Sequence, residues 1–123
     1  MKRILIVEDN RILAENFARI LRSDFEISHA DSAGSAISQI DNSFPDAILL
    51  DILLSGHSAF ALLNELQSYA DTAKIPVVIC SDLAENLDEN SLKKYQVKSI
   101  LDKSKISPKE LREICRKVVN ESN

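Results

Sequence analysis

The sequence predicts an α/β fold: a three-layer, doubly wound parallel sheet of five strands and five helices in (βα)5 order. Three observations carry that expectation. Wholly apolar runs recur at Ile4-Leu5-Ile6-Val7, Ala47-Ile48-Leu49-Leu50 and Val77-Val78-Ile79-Cys80. Each is too short for a helix and too apolar for a half-exposed strand, so each reads as a strand buried on both sheet faces. Segments with helical apolar spacing lie between them. The composition is that of an ordinary globular domain, with 123 residues, 45% hydrophobic and 28% charged. A chain of this length reads as one domain, 1–123, able to bury roughly two-thirds of its unfolded surface without a disulfide or metal staple.

The elements follow in order. The first apolar run leads into a helix over about residues 11–23, where Leu13, Phe17, Ile20 and Leu21 share one face. Residues 25–30 form a weaker strand, because polar Glu26 and Ser28 interleave with the apolar positions. Ala33, Ala36, Ile37 and Ile40 mark the second helix. The third strand, residues 47–50, precedes a helix marked by Phe60, Leu62, Leu63 and Leu66. The fourth strand, residues 77–80, precedes the weakest helix, whose spaced apolar residues are Leu87, Leu92 and Tyr95. A short fifth strand is expected at residues 99–101. The last helix is the clearest: Leu111, Ile114, Cys115, Val118 and Val119 keep one face, and Ser107-Pro108-Lys109-Glu110 supplies an N-cap, a first-turn proline and a reciprocating Glu.

Parallel strands joined by helices require crossovers that cover both sheet faces. Three apolar strands belong in the middle and two weaker ones at the edges. The strand order is therefore 2-1-3-4-5, the flavodoxin-like order.

Ligands of such sheets bind beyond the carboxyl ends of the strands. Glu8-Asp9 follow the first strand, Asp51 the third, Ser81 the fourth, and Lys103 lies just past the fifth. Any one of these alone reads as a helix cap or a strand end, and Asp9, Asn10, Ser81 and Asp82 are all capping types. Together they place three carboxylates, a hydroxyl and an ammonium on one rim. Clustered carboxylates repel unless a cation neutralises them, and Mg²⁺ with oxygen ligands does so. A carboxylate is also a nucleophile toward phosphorus, forming an aspartyl phosphate. Mg²⁺, Lys103 and the Ser81 hydroxyl would then serve the phosphoryl oxygens.

Composition excludes several classes. Gly34 and Gly56 are the only glycines, too few for a P-loop or a dinucleotide fingerprint. A net charge of -4 argues against direct nucleic-acid binding. No apolar run approaches the roughly 18 residues of a membrane span, and charges at Glu8, Asp9 and Arg11 interrupt any leader, so a cytoplasmic protein is expected. Cys80 and Cys115 sit inside apolar segments and read as buried thiols in a reducing compartment. His57 reads as a solvated loop residue, and His29, on an edge strand, receives no role.

At this point the sequence resembles the receiver domains of two-component response regulators, over essentially its whole length. The resemblance is carried by Ile4-Leu5-Ile6-Val7-Glu8-Asp9, Asp46-Ala47-Ile48-Leu49-Leu50-Asp51, Ile75-Pro76-Val77-Val78-Ile79-Cys80-Ser81 and Lys103. It implies a phosphorylation-controlled signalling switch, with Asp51 as the phosphoacceptor. It further implies Asp9 as a direct Mg²⁺ ligand, Glu8 acting through water, and the backbone carbonyl of Leu53 as a further ligand. Ser81 matches the switch hydroxyl and Lys103 the family's ammonium. The implied donor is a histidine kinase or a histidine phosphotransfer protein. The implied readout is a downstream output domain or target protein, reached through the fourth helix, fifth strand and fifth helix. Such a protein is no enzyme in the usual sense; it assists its own phosphorylation and dephosphorylation.

The chain departs from the family pattern in places. Ser55 stands where Pro is usual and Ala59 where Gly is usual. Ser104 replaces the Pro that follows the Lys, so a trans peptide is expected there. Ile100 fills the aromatic switch position. Asp82 stands beside the switch hydroxyl, where it either repels an incoming anion or, as expected here, caps the fourth helix. Leu53 and Leu83 occupy the positions that tune phosphoryl lifetime, and neither side chain orients water. The departures leave a second reading, a pseudo-receiver that binds proteins without phosphorylation. Leu53 also excludes a haloacid-dehalogenase-type phosphatase, which needs a second Asp there, and Glu8-Asp9 would repel the phosphate of a flavin.

Overall fold

A computed structural model describes residues 1–52, 58–82 and 87–121, with the Ser58 side chain outside that set. The strands are β1 (Arg3–Val7), β2 (Glu26–Ala30), β3 (Ala47–Leu50), β4 (Val77–Ser81) and β5 (Val97–Asp102). The helices are α1 (Arg11–Leu21), α2 (Ala33–Asn42), α3 (Ser58–Gln67), α4 (Glu89–Leu92) and α5 (Pro108–Glu121). All strand pairs are parallel and the order is β2-β1-β3-β4-β5. The expected architecture and strand order are therefore the observed ones.

The apolar runs fill the middle of the sheet because both of their faces are covered. Leu5, Val7, Ile48, Leu50, Val77 and Ile79 point into a core closed by α2, α3 and α4. Ile4, Ile6, Ala47, Leu49, Val78 and Cys80 point into a second core closed by α1 and α5. Successive side chains alternate between the two, as the strand period of two requires. Each fully buried Leu or Ile contributes about 1.5–3 kcal/mol of hydrophobic stabilisation.

Helix starts are set by local chemistry. The Asn10 side chain accepts from the Leu13 N–H at 3.1 Å and caps α1. Ser32 does the same for α2 through the Ser35 N–H at 3.1 Å. Ser107 accepts from the Glu110 N–H at 3.1 Å and donates its hydroxyl to Glu110 Oε1 at 3.0 Å, at the start of α5.

Several details differ from expectation. Phe60 does not share the buried face of α3: it is exposed, while Ala59, Leu62, Leu63 and Leu66 are buried. Those four already keep the i, i+3, i+4, i+7 spacing, and Phe60 lies one residue out of phase. The N-cap of α4 is Asp88, whose carboxylate accepts from the Asn90 N–H at 3.0 Å, so Asp82 does not cap it. α4 is a single turn, continued by a 3₁₀ turn over Lys93–Tyr95. β5 begins two residues earlier than the expected strand because Val97 packs into the core beside Leu92. A 3₁₀ turn over Thr72–Lys74, unanticipated from the sequence, leads into β4. No described peptide bond is cis, in accord with the expectation for Lys103-Ser104.

Candidate functional site

Three residues at the carboxyl rim share one backbone device. Glu8, Asp51 and Lys103 are each the first residue past a strand, and each donates its N–H to the neighbouring strand. Glu8 donates to the Ala30 carbonyl at 3.0 Å, Asp51 to Val7 at 3.0 Å and Lys103 to Ser81 at 3.2 Å. The parallel ladder thus extends one residue beyond each strand and fixes where the functional side chains start.

The side chains converge. Carboxylate oxygens of Glu8, Asp9 and Asp51 all lie within 4.8 Å of one another. Glu8 and Asp51 are buried, and Asp9 is exposed at the rim. Lys103 Nζ donates to Asp51 Oδ2 at 3.0 Å and lies 2.7 Å from Glu8 Oε1. The second contact is an ion pair outside hydrogen-bond geometry, which leaves Glu8 Oε1 buried with no hydrogen bond among the described residues. Glu8 Oε2 accepts from the Asn10 N–H at 3.1 Å.

Electrostatics follow from this packing. Burial pushes the Glu8 carboxyl above its ordinary value and the Asp51 charge adds to the shift, against the pull of Lys103 and the Asn10 N–H. Burial alone would lower the Lys103 ammonium; the two carboxylates it touches, Glu8 through the close ion pair and Asp51 through the hydrogen bond, outweigh it and hold the group above its ordinary value. Three carboxylates facing one ammonium still carry surplus negative charge. Together with the buried Glu8 Oε1, which accepts no hydrogen bond among the described residues, this all-oxygen set fits a hard divalent cation such as Mg²⁺.

Among the other residues singled out, Ser81 is fully buried at the end of β4, opposite Asp102 in the sheet register. Asp82 is exposed. Ile100 is half-buried and packs against the α2–α3 core. Cys80 and Cys115 are buried and free, as expected. Leu53, Ser55, His57 and Leu83 lie outside the described residues.

Two contributors were not anticipated. His29 Nε2 stands 2.8 Å from the Glu8 carbonyl oxygen; since a carbonyl only accepts, this nitrogen carries the proton and steadies the turn bearing Glu8 and Asp9. The Ile6↔His29 register brings them together, a tertiary fact with no local signal. Asp102 accepts from the Ser104 N–H at 2.9 Å and the Ser104 hydroxyl at 2.6 Å. An Asp two residues before a Ser is a readable turn signal.

A five-stranded 2-1-3-4-5 sheet with an acidic trio and one ammonium at its carboxyl rim defines a class, and comparison with known proteins agrees. The response regulator receiver domain family matches residues 4–116, and the chain belongs to that family. It is 34% identical over 88 residues to the phosphate regulon transcriptional regulatory protein PhoB of Escherichia coli, covering 71% of this chain and 38% of PhoB. It is 28% identical over 90 residues to protein PilH of Pseudomonas aeruginosa, covering 72% of this chain and 74% of PilH. A solved CheY-like receiver domain from Methanospirillum hungatei superposes with a TM-score of 0.85 at 25% identity, covering 99% of this chain and 96% of that one. Among the described residues, no helix is long and apolar enough to cross a membrane.

Proposed function

We propose that this chain is a phosphorylation-controlled signalling switch of the cytoplasm, in which Asp51 accepts a phosphoryl group from the phosphohistidine of a histidine kinase or histidine phosphotransfer protein in a Mg²⁺-dependent reaction. The observation that supports it most is the meeting of Glu8, Asp9 and Asp51 within 4.8 Å, with Lys103 Nζ touching two of the three.

An Asp51 carboxylate oxygen attacks the phosphorus of the phosphoimidazole. The O–P bond forms as the P–N bond breaks, and the electron pair stays on the imidazole nitrogen, which is then protonated. The product is an acyl phosphate on Asp51. Glu8, Asp9, Asp51 and the Leu53 backbone carbonyl are the residues that would hold Mg²⁺, whose charge serves the phosphoryl oxygens. Lys103, already hydrogen-bonded to Asp51 Oδ2, screens the carboxylate from an incoming anion. The Ser81 hydroxyl is the hydrogen-bond donor for a phosphoryl oxygen. The phosphorylated surface around α4, β5 and α5 then signals to an output domain or a target protein. The chain turns over no separate substrate; it assists gain and loss of its own phosphoryl group.

Intact mass after incubation with a small phosphodonor tests this, with and without Mg²⁺, on wild type and Asp51→Asn. A Mg²⁺-dependent gain of one phosphoryl group, absent in Asp51→Asn, is the expected result. The absence of both an adduct and Mg²⁺ binding would favour a pseudo-receiver that binds proteins without phosphorylation.

A further inference from the structure

The loop that carries Lys103 is closed by side-chain chemistry rather than by the proline usual in the family. Asp102, the last residue of β5, is the centre of that closure. Its Oδ1 accepts from the Ser104 N–H at 2.9 Å and from the Ser104 hydroxyl at 2.6 Å. Its carbonyl accepts from the Lys105 N–H at 3.1 Å and the Ile106 N–H at 3.0 Å. Ile106 packs against the α1–α5 core. On the other side, the Lys103 N–H is tied to the Ser81 carbonyl at 3.2 Å.

Lys103 thus sits at the tip of a turn pinned before and after it. From that tip its side chain runs inward, only 13% exposed, to Asp51 and Glu8. The Ser104 N–H is indispensable to the arrangement, and a proline at 104 would have no N–H to give. Among the described residues the Asp102 side chain has no other hydrogen bond. Its ion pair with Lys105 is long, at 3.9 Å, with the lysine 70% exposed, so it adds little.

We infer that Asp102 and Ser104 are positioning residues for Lys103: the Asp102 carboxylate, gripping both Ser104 donors, holds the turn that aims the Lys103 ammonium at Asp51 and Glu8. The consequence for phosphotransfer rests on the phosphoacceptor reading above; the positioning itself does not. The same carboxylate is held below its ordinary value by the Ser104 hydroxyl and N–H, as expected of an acceptor used twice.

The test compares Asp102→Ala with Asp102→Asn. Both lose the charge, but only Ala loses the acceptor that holds Ser104. Acylation of Lys103 Nζ by an amine-reactive ester is followed by peptide mass spectrometry, with exposed Lys98 and Lys109 as internal references. Asp102→Ala is expected to label Lys103 at least about fivefold faster than Asp102→Asn: it loses both Ser104 hydrogen bonds, and one ordinary bond alone shifts the released population by about that factor. Asp102→Asn should label at the wild-type rate, and the reference lysines should not change in either variant. A purely structural role would move melting temperature or all lysines together. Equal Lys103 rates in the Ala and Asn variants would overturn the inference. If Asp102→Ala does not fold, Ser104→Ala, which removes one donor and no charge, is read against wild type in the same way. Phosphorylation by the small donor should be slower in Asp102→Ala than in Asp102→Asn. A wild type that neither takes a phosphoryl group nor binds Mg²⁺ would defeat the phosphoacceptor reading, while the labelling ratio still decides the positioning.

Discussion

Lys103 Nζ lies 2.7 Å from the buried Glu8 Oε1, the oxygen that accepts no hydrogen bond among the described residues. The ammonium is thus the charge that lets Glu8 and Asp51 stay buried side by side. Lys103→Ala leaves both carboxylates without it, and removing one partner of a buried ion pair costs about 3 kcal/mol. Mg²⁺ should restore much of that, since it meets the same surplus charge. Thermal melts with and without Mg²⁺ check this: the variant should melt lower than wild type and gain more from the ion. A variant melting like wild type without Mg²⁺ would show that the ammonium is dispensable for burial.

The cysteines give a prediction about reactivity. Burial pushes the Cys80 and Cys115 thiols up to about 12. At pH 8 only roughly one thiol in ten thousand is then ionised, and the thiolate is the reactive form. A colorimetric disulfide reagent at pH 8 should leave both unreacted in the native protein and titrate two thiols after denaturation. The sign for stability also follows. The folded state keeps the protons longer than the unfolded state, so stability falls as pH rises from the ordinary thiol value of 9.0 toward about 12.

Much of this could be read from the sequence, for physical reasons. Ile48 and Leu50 face one core and Ala47 and Leu49 the other, so only a strand buried on both sides suits the run. That fixes the sheet centre, and the strand-end rule then picks out Glu8, Asp51 and Lys103. Competition between near-equal local signals hid the rest. Phe60 and Ala59 are adjacent and both apolar, and the helix phase favoured the smaller residue. Asp82 and Asp88 are equally good caps by type, and the chain used Asp88. His29 reaches the Glu8 carbonyl only through sheet register, which no local window contains. The Asp102–Ser104 turn is legible in principle, since an Asp two residues before a Ser closes such a turn through its own side chain.

Gln96 offers a stability test away from the site. It follows the 3₁₀ turn at Lys93–Tyr95 with φ 63, the left-handed region that disfavours a side chain. Its N–H donates to the Lys93 carbonyl at 3.1 Å and its carbonyl accepts from the Val77 N–H at 2.9 Å. Glycine keeps both backbone bonds and removes the Cβ strain, so Gln96→Gly should stabilise by about 1 kcal/mol. Chemical denaturation checks this, with an unchanged m-value expected. A loss of stability would mean that the Gln96 side chain contributes more than the strain it imposes.

The lifetime of the phosphoprotein is the prediction closest to function. Loss of the phosphoryl group needs a water aligned for attack on phosphorus, and polar side chains near the acceptor ordinarily orient it. In this chain the two positions that tune lifetime in the family are Leu53 and Leu83. Neither side chain accepts or donates a hydrogen bond, so neither aligns water or takes its proton. Self-dephosphorylation should therefore be slow, with the adduct outlasting minutes. Intact mass followed over time after removal of the phosphodonor, with Mg²⁺ kept constant, measures this directly. Leu83→Gln, which restores a donor and an acceptor at one position, should shorten the lifetime several-fold if water alignment is what is missing. A wild-type half-life of minutes or less would show that another group at the rim orients the water, and the exposed Asp9 and Asp82 carboxylates would be the first to substitute.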